Sequence, residues 1–221
     1  MQQYTIRRAD PEPGLDGQWE SPAWQRAQTL QLAHFHERGG DHRPNVNARM
    51  LYDDRGLYLI FRVEDRFVRC VATNRNGSIC ADSCVEFFTE SVADRGYFNF
   101  EINCGGTLLL HYNARPAAIN YDPVVLDDDR LDLVRIHHSM PKVVDPEIND
   151  PVTWFIEMFA PYELFEAFVG PVPRGPGAVW RGNFYKCGDA TSHPHWAMWH
   201  AIPGPLGFHQ PEHFAPLIFA D

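Results

Sequence analysis

Apolar and polar residues alternate with period two through most of the chain. Leu57, Leu59, Phe61 and Val63 fall on one face of an extended segment, and Tyr58, Ile60, Arg62 and Glu64 on the other. The apolar run Ala48–Tyr52 precedes it across Asp53-Asp54-Arg55-Gly56. Two such runs around a short turn containing Gly predict a hairpin. Tyr97–Asn103 alternates most cleanly, with Phe98, Phe100 and Ile102 opposite Tyr97, Asn99, Glu101 and Asn103. A strand with one wholly polar face belongs to a sheet wetted on one side. Gly105-Gly106 then reads as a turn into a strand at Thr107–Tyr112.

The same pattern predicts strands over Ser83–Thr89, Leu131–His138, Val152–Ala160, Trp180–Lys186, Trp196–His200 and Pro216–Ala220. Pro161–Ala167 is the one segment suited to a short helix, with Pro161 in its first turn. Gly170–Gly177 reads as a long loop. Many short strands between turn signals predict an all-β, antiparallel sandwich of jelly-roll or immunoglobulin-like layers, with at most one or two short helices. No internal repeat or linker divides residues 1–221, so one domain is expected. At this length roughly 70–75% of the unfolded surface can be buried, and the core needs no disulfide or metal staple.

Charge narrows the partners. The formal net charge of -10 and the lack of any basic run argue against nucleic acid and against an anionic membrane surface. No stretch reaches the roughly 20 apolar residues of a membrane span. The N-terminal residues show no apolar signal core, so the chain as given is expected in the cytoplasm, with a secreted form whose signal has been removed as the alternative. Its 5 Cys, an odd number, do not suggest a disulfide framework.

Several segments resemble the family 9 carbohydrate-binding modules and the related DOMON-like sandwiches. Leu15-Asp16-Gly17 with Pro22-Ala23-Trp24 is similar to the opening segment of that family. Leu51–Asp54, Leu57-Tyr58 and Val63–Asp65 resemble its first hairpin, and Asp82–Phe88 its "D-S-V-E-x-F" strand with one extra residue. Phe98–Asn103, Trp180–Tyr185 with Trp196–Trp199, and Phe208–Phe214 complete the order. The resemblance implies a non-catalytic domain that holds a mono- or oligosaccharide end on a polar sheet face, in company with a catalytic partner protein. It places Glu86 on a sugar-contacting glutamate, Asn99 and Tyr185 on polar contact positions, and Trp199 on one of two stacking tryptophans. Asn76–Ala81, where the other tryptophan would stand, contains no aromatic residue.

The residues themselves suggest the same chemistry. A sugar needs fixed donors and acceptors and a flat apolar platform. Asn99, Glu101 and Asn103 share a face, as do Arg181, Asn183 and Tyr185, and Trp199 could supply the platform. The expected carbohydrate-binding residues are therefore Glu86, Asn99, Glu101, Arg181, Asn183, Tyr185 and Trp199. Trp24, Trp154 and Trp180 are expected in the core, and Trp196 on the face opposite to Trp199.

Alternatives stay open. Glu86 and Glu101 are a carboxylate pair of the kind glycosidases use, which keeps an enzyme or enzyme subunit of carbohydrate catabolism in view. Relatives that hold b-type haem direct attention to Met140, Met158 and Met198, although a buried Met is normally core filling. Structural calcium is a possible cofactor, with Asp127-Asp128-Asp129 as the most acidic loop, but no ligand is assigned. The pairs His193/His195 and His209/His213 read as polar loop residues rather than metal ligands.

Overall fold

The strands at Asn45–Tyr52 and Gly56–Asp65 form the expected hairpin, in register from Asn45 opposite Glu64 to Tyr52 opposite Leu57. Its inward residues Ala48, Met50, Leu59, Phe61 and Val63 are buried in the main core. In chain order the strands are β1 (Tyr4–Arg8), β2 (Leu30–Gln31), β3 (His34–Phe35), β4 (Asn45–Tyr52), β5 (Gly56–Asp65), β6 (Val68–Cys70), β7 (Cys84–Glu90) and β8 (Tyr97–Asn103). They continue as β9 (Leu108–Asn113), β10 (Val124–Val125), β11 (Arg135–His138), β12 (Val144–Ile148), β13 (Val152–Pro161), β14 (Val179–Cys187), β15 (Trp196–Met198) and β16 (Ala215–Ala220). The computed structural model describes residues 2–114 and 122–221.

Hydrogen bonding runs without a break in the order β10-β9-β8-β7-β14-β16-β1-β4-β5-β13-β11. The sheet curls on itself, so that Val85, Phe87, Phe98, Phe100 and Phe184 of one layer pack on Met50, Phe61, Trp154 and Ile156 of the other. Phe184 meets Phe61 edge-on with ring centroids 6.2 Å apart. This is the all-β sandwich that the alternation predicts. Its join is parallel rather than antiparallel, because β1 pairs in parallel with both β16 and β4. The alternation of so short a strand gives no sign of which neighbours it will take.

The described residues contain three short helices, one more than expected: α1 (Pro22–Gln25), α2 (Asp128–Leu131) and α3 (Tyr162–Val169). α3 replaces the expected Pro161–Ala167 with a shift of one or two residues. α2 occupies the start of the expected strand Leu131–His138, which shortens to Arg135–His138. The reason is local: the Asp127 side chain accepts the Arg130 N–H and caps the turn. Asp128 pairs with Arg75. The acidic run thus caps a helix and forms an ion pair. No helix among the described residues is long and apolar enough to cross a membrane.

Both outer faces of the sandwich are covered, so the polar face of β8, expected to be wet, is buried along its whole length. Segment 9–27 lies over β5 and β13. There Trp19 and Trp24 pack with Leu51, Tyr58, Ile60 and Phe159. Glu157 anchors that segment by accepting the Trp24 indole N–H at 2.9 Å and the Gly17 N–H at 2.7 Å. Gly17 has φ of 73° and would drive a Cβ to 2.8 Å from His137 Nε2, so the position suits glycine alone. Trp24, Trp154 and Trp180 are buried, as expected.

One end of the core holds a buried charge. Lys186, on the inward face of β14, places its ammonium 3.3 Å from Asp65 Oδ2 and 2.7 Å from His195 Nε2, and donates to the Cys187 carbonyl at 2.9 Å. Asp65 also accepts from His42 Nε2 at 2.7 Å and from the Trp154 indole at 3.4 Å. His42, Asp65 and His195 form a cluster of metal-ligand type. Two of them already hold the Lys186 ammonium, which does the work of a bound cation. Burial disfavours charge on Asp65, but Lys186 and then His42 outweigh it and hold the carboxyl well below its usual range. Burial, then Lys186, push His195 down to about 3. Its Nδ1 lies 2.9 Å from the His193 carbonyl. That contact makes Nδ1 the protonated nitrogen and Nε2 the acceptor of the Lys186 proton.

Two outcomes follow from this network. Replacing Lys186 by Ala strands a buried carboxylate and should cost about 3–5 kcal/mol in urea unfolding; a loss under 1 kcal/mol would show that the ammonium contributes little. The second concerns pH. Between about pH 6.5 and 3 the unfolded chain protonates His195 while the folded chain does not. Asp65 acts in the same direction as pH falls below about 4. Stability contributed by His195 should therefore be complete above pH 6.5 and be lost on acidification, by on the order of 3–5 kcal/mol at full effect. His195→Gln should flatten the acid limb of a stability–pH curve, and an unchanged slope would contradict the assignment.

Candidate functional site

The outward face of β7, β8 and β14 carries the polar residues picked out by alternation. Register places Tyr185, Glu86 and Glu101 in one cross-strand row and Asn183, Phe88 and Asn99 in the next. Glu86, Asn99 and Tyr185 therefore do gather on one surface. That surface is not open along its length, because the segment 200–214 folds across it. Ile202, Phe208 and Phe214 from this segment join Phe88, Tyr97 and Tyr185 in a second apolar cluster.

Several expected contact residues serve this covering segment. The Tyr185 ring is fully buried under Phe208, the two stacked at 4.1 Å, and its hydroxyl donates to the Phe208 carbonyl at 3.3 Å. Asn183 donates to the His200 carbonyl and accepts the His200 N–H, at 2.8 and 2.9 Å. Arg181 donates to the carbonyls of Phe214 and Glu212 and faces Glu90 at 3.5 Å. Asn99 is buried one step behind Glu101, donating to its Oε1 at 3.0 Å and accepting from Asn113 at 2.7 Å. Asn103 helps Asp82 organise the preceding loop, since the Asp82 carboxylate accepts from Val71 N, Ala72 N and Asn103 Nδ2.

Trp199 requires a correction. Its ring lies in the main core, edge-on to Phe184 and Tyr4, and is only 4% exposed. It cannot be a platform. Trp196 stands on the other face, opposite Cys187 across β14 and β15. It is half-buried, and its indole N–H donates to Asp189 Oδ1 at 2.6 Å. The alternation along β15 puts the two tryptophans on opposite faces, but only the pairing register shows which one shares a face with Glu86.

What stays open is a cavity of about 180 Å³ at the Glu86 end of the face. Glu86 and Glu101 form its polar wall, Trp196, Phe88 and Phe208 its aromatic lining, and Cys80 and Asp189 part of its rim. The volume is below the roughly 300–1,000 Å³ of pockets that enclose drug-sized ligands. It suits a single ring or chain end. Cys80 sits in the loop that lacks an aromatic residue; Phe208, from the covering segment, provides a ring that the sequence pattern did not reveal. The rims are tied together by backbone bonds from Asp189 N to Cys80 O and Ala190 N to Ala81 O.

The two glutamates are only 2% and 6% exposed. Glu86 accepts the Cys187 thiol at Oε1, and Glu101 accepts the Asn99 amide at Oε1. The second oxygen of each has no hydrogen-bond partner among the described residues. Burial, and then the neighbouring Glu101, raise Glu86 well above the usual carboxylate range. Burial raises Glu101 to about 7, against the opposing pull of Asn99. Near neutral pH the pair therefore retains a proton and offers both donor and acceptor groups. His209 is pushed down to about 4 by burial and then His111, so it brings no charge to the cavity.

A larger hollow of about 700 Å³ opens on the other side of the covering segment, lined in part by His34, His36, Glu37, Arg38 and Ala201. It has no pair of buried polar groups with free valences, so size alone does not make it the site. Among the methionines considered for haem, Met158 is core, and Met198 is buried with its sulfur accepting the Ile202 N–H at 3.2 Å.

Comparison with known proteins finds the same fold elsewhere. A solved structure of a protein from Bacteroides uniformis, assigned to carbohydrate binding, is 27% identical, with a TM-score of 0.85 over 99% of each chain. Family 9 carbohydrate-binding modules from Caldicellulosiruptor kristjanssonii, in complex with cellotriose and with glucose, share the fold at 13% identity and a TM-score of 0.66. Those matches cover 99% of this chain and 93% and 96% of the modules. No curated protein matches. The sequence model of carbohydrate-binding family 9 matches residues 23–219, nearly the whole length. The chain belongs to carbohydrate-binding family 9.

Proposed function

We propose that the cavity beside Trp196 receives the terminal ring of a mono- or oligosaccharide. The observation that carries this reading is the pair of buried carboxyl groups, Glu86 and Glu101, each with one oxygen unengaged, next to a half-buried indole. A pyranose has hydroxyls around its edge and a weakly apolar face. The glutamates match the first, and the Trp196 ring, fixed by Asp189, matches the second. The small volume favours a chain end over a chain interior. The cellotriose and glucose complexes of the Caldicellulosiruptor modules supply the first ligands to try.

The carboxyl pair is arranged for holding a ligand. Glu86 and Glu101 are direct cross-strand partners and stand side by side on one wall. Glycoside hydrolysis needs its two carboxyls to flank the scissile bond.

Calorimetric titration with glucose and cellotriose is the direct test. Trp196→Ala and Glu86→Gln should each weaken binding about 10-fold or more, as expected for loss of a stacking face or of a buried hydrogen bond to a sugar hydroxyl. Asp129→Ala, on the exposed α2, should bind as the unaltered protein does. Full affinity in Trp196→Ala would move the site elsewhere, and a folded protein that takes up no saccharide would end the reading.

A further inference from the structure

The cavity contains acidic groups and no basic counter-charge. Its polar lining consists of Glu86, Glu101 and Asp189 with the thiols of Cys80 and Cys187 and the imidazole of His209. No Lys or Arg lines it. The nearest cation along β14 is Lys186, whose side chain points to the opposite face and is committed to Asp65 and His195. Arg181 is two rows away and bound to Glu90 and the covering segment. His209 is neutral, with Nδ1 2.8 Å from the Tyr97 hydroxyl.

Two carboxyls placed directly across a strand pair, with Cβ atoms typically about 4.5–5.5 Å apart, repel when both ionise. Burial adds to the cost of that charge. A neutral hydroxyl leaves the pair protonated, whereas an ammonium group lets both carboxyls ionise. An ammonium has three donors, and the cavity offers a free oxygen on each glutamate, both at least nine-tenths buried. The rings of Trp196, Phe88 and Phe208 line the same space, and aromatic faces attract cations.

We propose that the ligand of this cavity is an amino sugar, its ammonium seated between Glu86 and Glu101. This rests on the saccharide reading above and narrows it to a cationic class. The sugar ring lies against Trp196, as for any saccharide, and the amine provides the selectivity. Because burial keeps the pair protonated near neutral pH, entry of the ammonium displaces that protonation, and binding of the amine releases protons at pH 6.5. A neutral sugar releases none.

Calorimetry separates the possibilities. Glucosamine and galactosamine are titrated beside glucose, galactose and their N-acetylated amino sugars, in two buffers of different ionisation enthalpy, at pH 6.5 and 7.5. The expected result is at least 10-fold tighter binding of one amine than of its neutral parent, loss of that advantage on N-acetylation, and proton release with the amine alone. Glu101→Gln should reduce the amino sugar to the affinity of its parent and abolish the proton release; should this variant fail to fold, the wild-type ratio and proton count decide. Equal or tighter binding of the neutral parent overturns the amino-sugar assignment and leaves the saccharide reading standing. Absence of binding by every sugar overturns both. Methylammonium or calcium alone binding as tightly as the amino sugar would overturn the assignment too, since the pair would then be a simple cation site.

Discussion

A polar sheet face that becomes covered must find partners for every group it buries, and this requirement shapes the whole region around the cavity. The segment 200–214 lies on the outward face of β7, β8 and β14. Arg181, Asn183 and Tyr185 meet its carbonyls and amides along the way. Only at the Glu86 end does the covering stop short. There two largely buried carboxyls each keep one oxygen turned to the cavity without a protein partner. A ligand can bond to those oxygens without displacing a protein contact, which is why the small cavity matters more than the larger hollow beside it.

Alternation along β14 keeps two charge systems apart. Lys186 faces inward and closes the core with Asp65 and His195, while its neighbours Tyr185 and Cys187 face outward beside Glu86. The hydrogen bonds of Lys186 all go to the core network, and only its longer-range field reaches Glu86 and Asp189. The core network is balanced within itself, and the cavity is left with an excess of acid. The same strand gives the sandwich its rigid end and the site its electrostatic character.

The sequence made the strands legible because period-two alternation is a direct consequence of strand geometry. It also put Glu86, Asn99, Glu101 and Tyr185 on one surface, since their parities along β7, β8 and β14 agree once those strands neighbour each other. The covering segment could not be read this way: Ile202, Phe208 and Phe214 follow no strand period and are spaced by prolines and glycines. Without it, Tyr185 and Asn183 look like open contact residues. The choice between Trp196 and Trp199 failed for a related reason. Their opposite faces are visible in the spacing, but the pairing of Trp196 with Cys187 depends on a turn whose length does not reveal register. At Leu131 a strand-like run lost to a helix cap from Asp127, a local hydrogen bond that the apolar pattern does not register.

The central claim is that the ligand rests on Trp196 beside Glu86 and Glu101. The indole N–H resonances of the 6 Trp residues, assigned by substitution, report on it directly during titration with saccharide. The account predicts that the Trp196 resonance, held by Asp189, moves in a saturable manner while those of Trp154, Trp180 and Trp199 stay in place. Saturable binding that leaves Trp196 unshifted would contradict it.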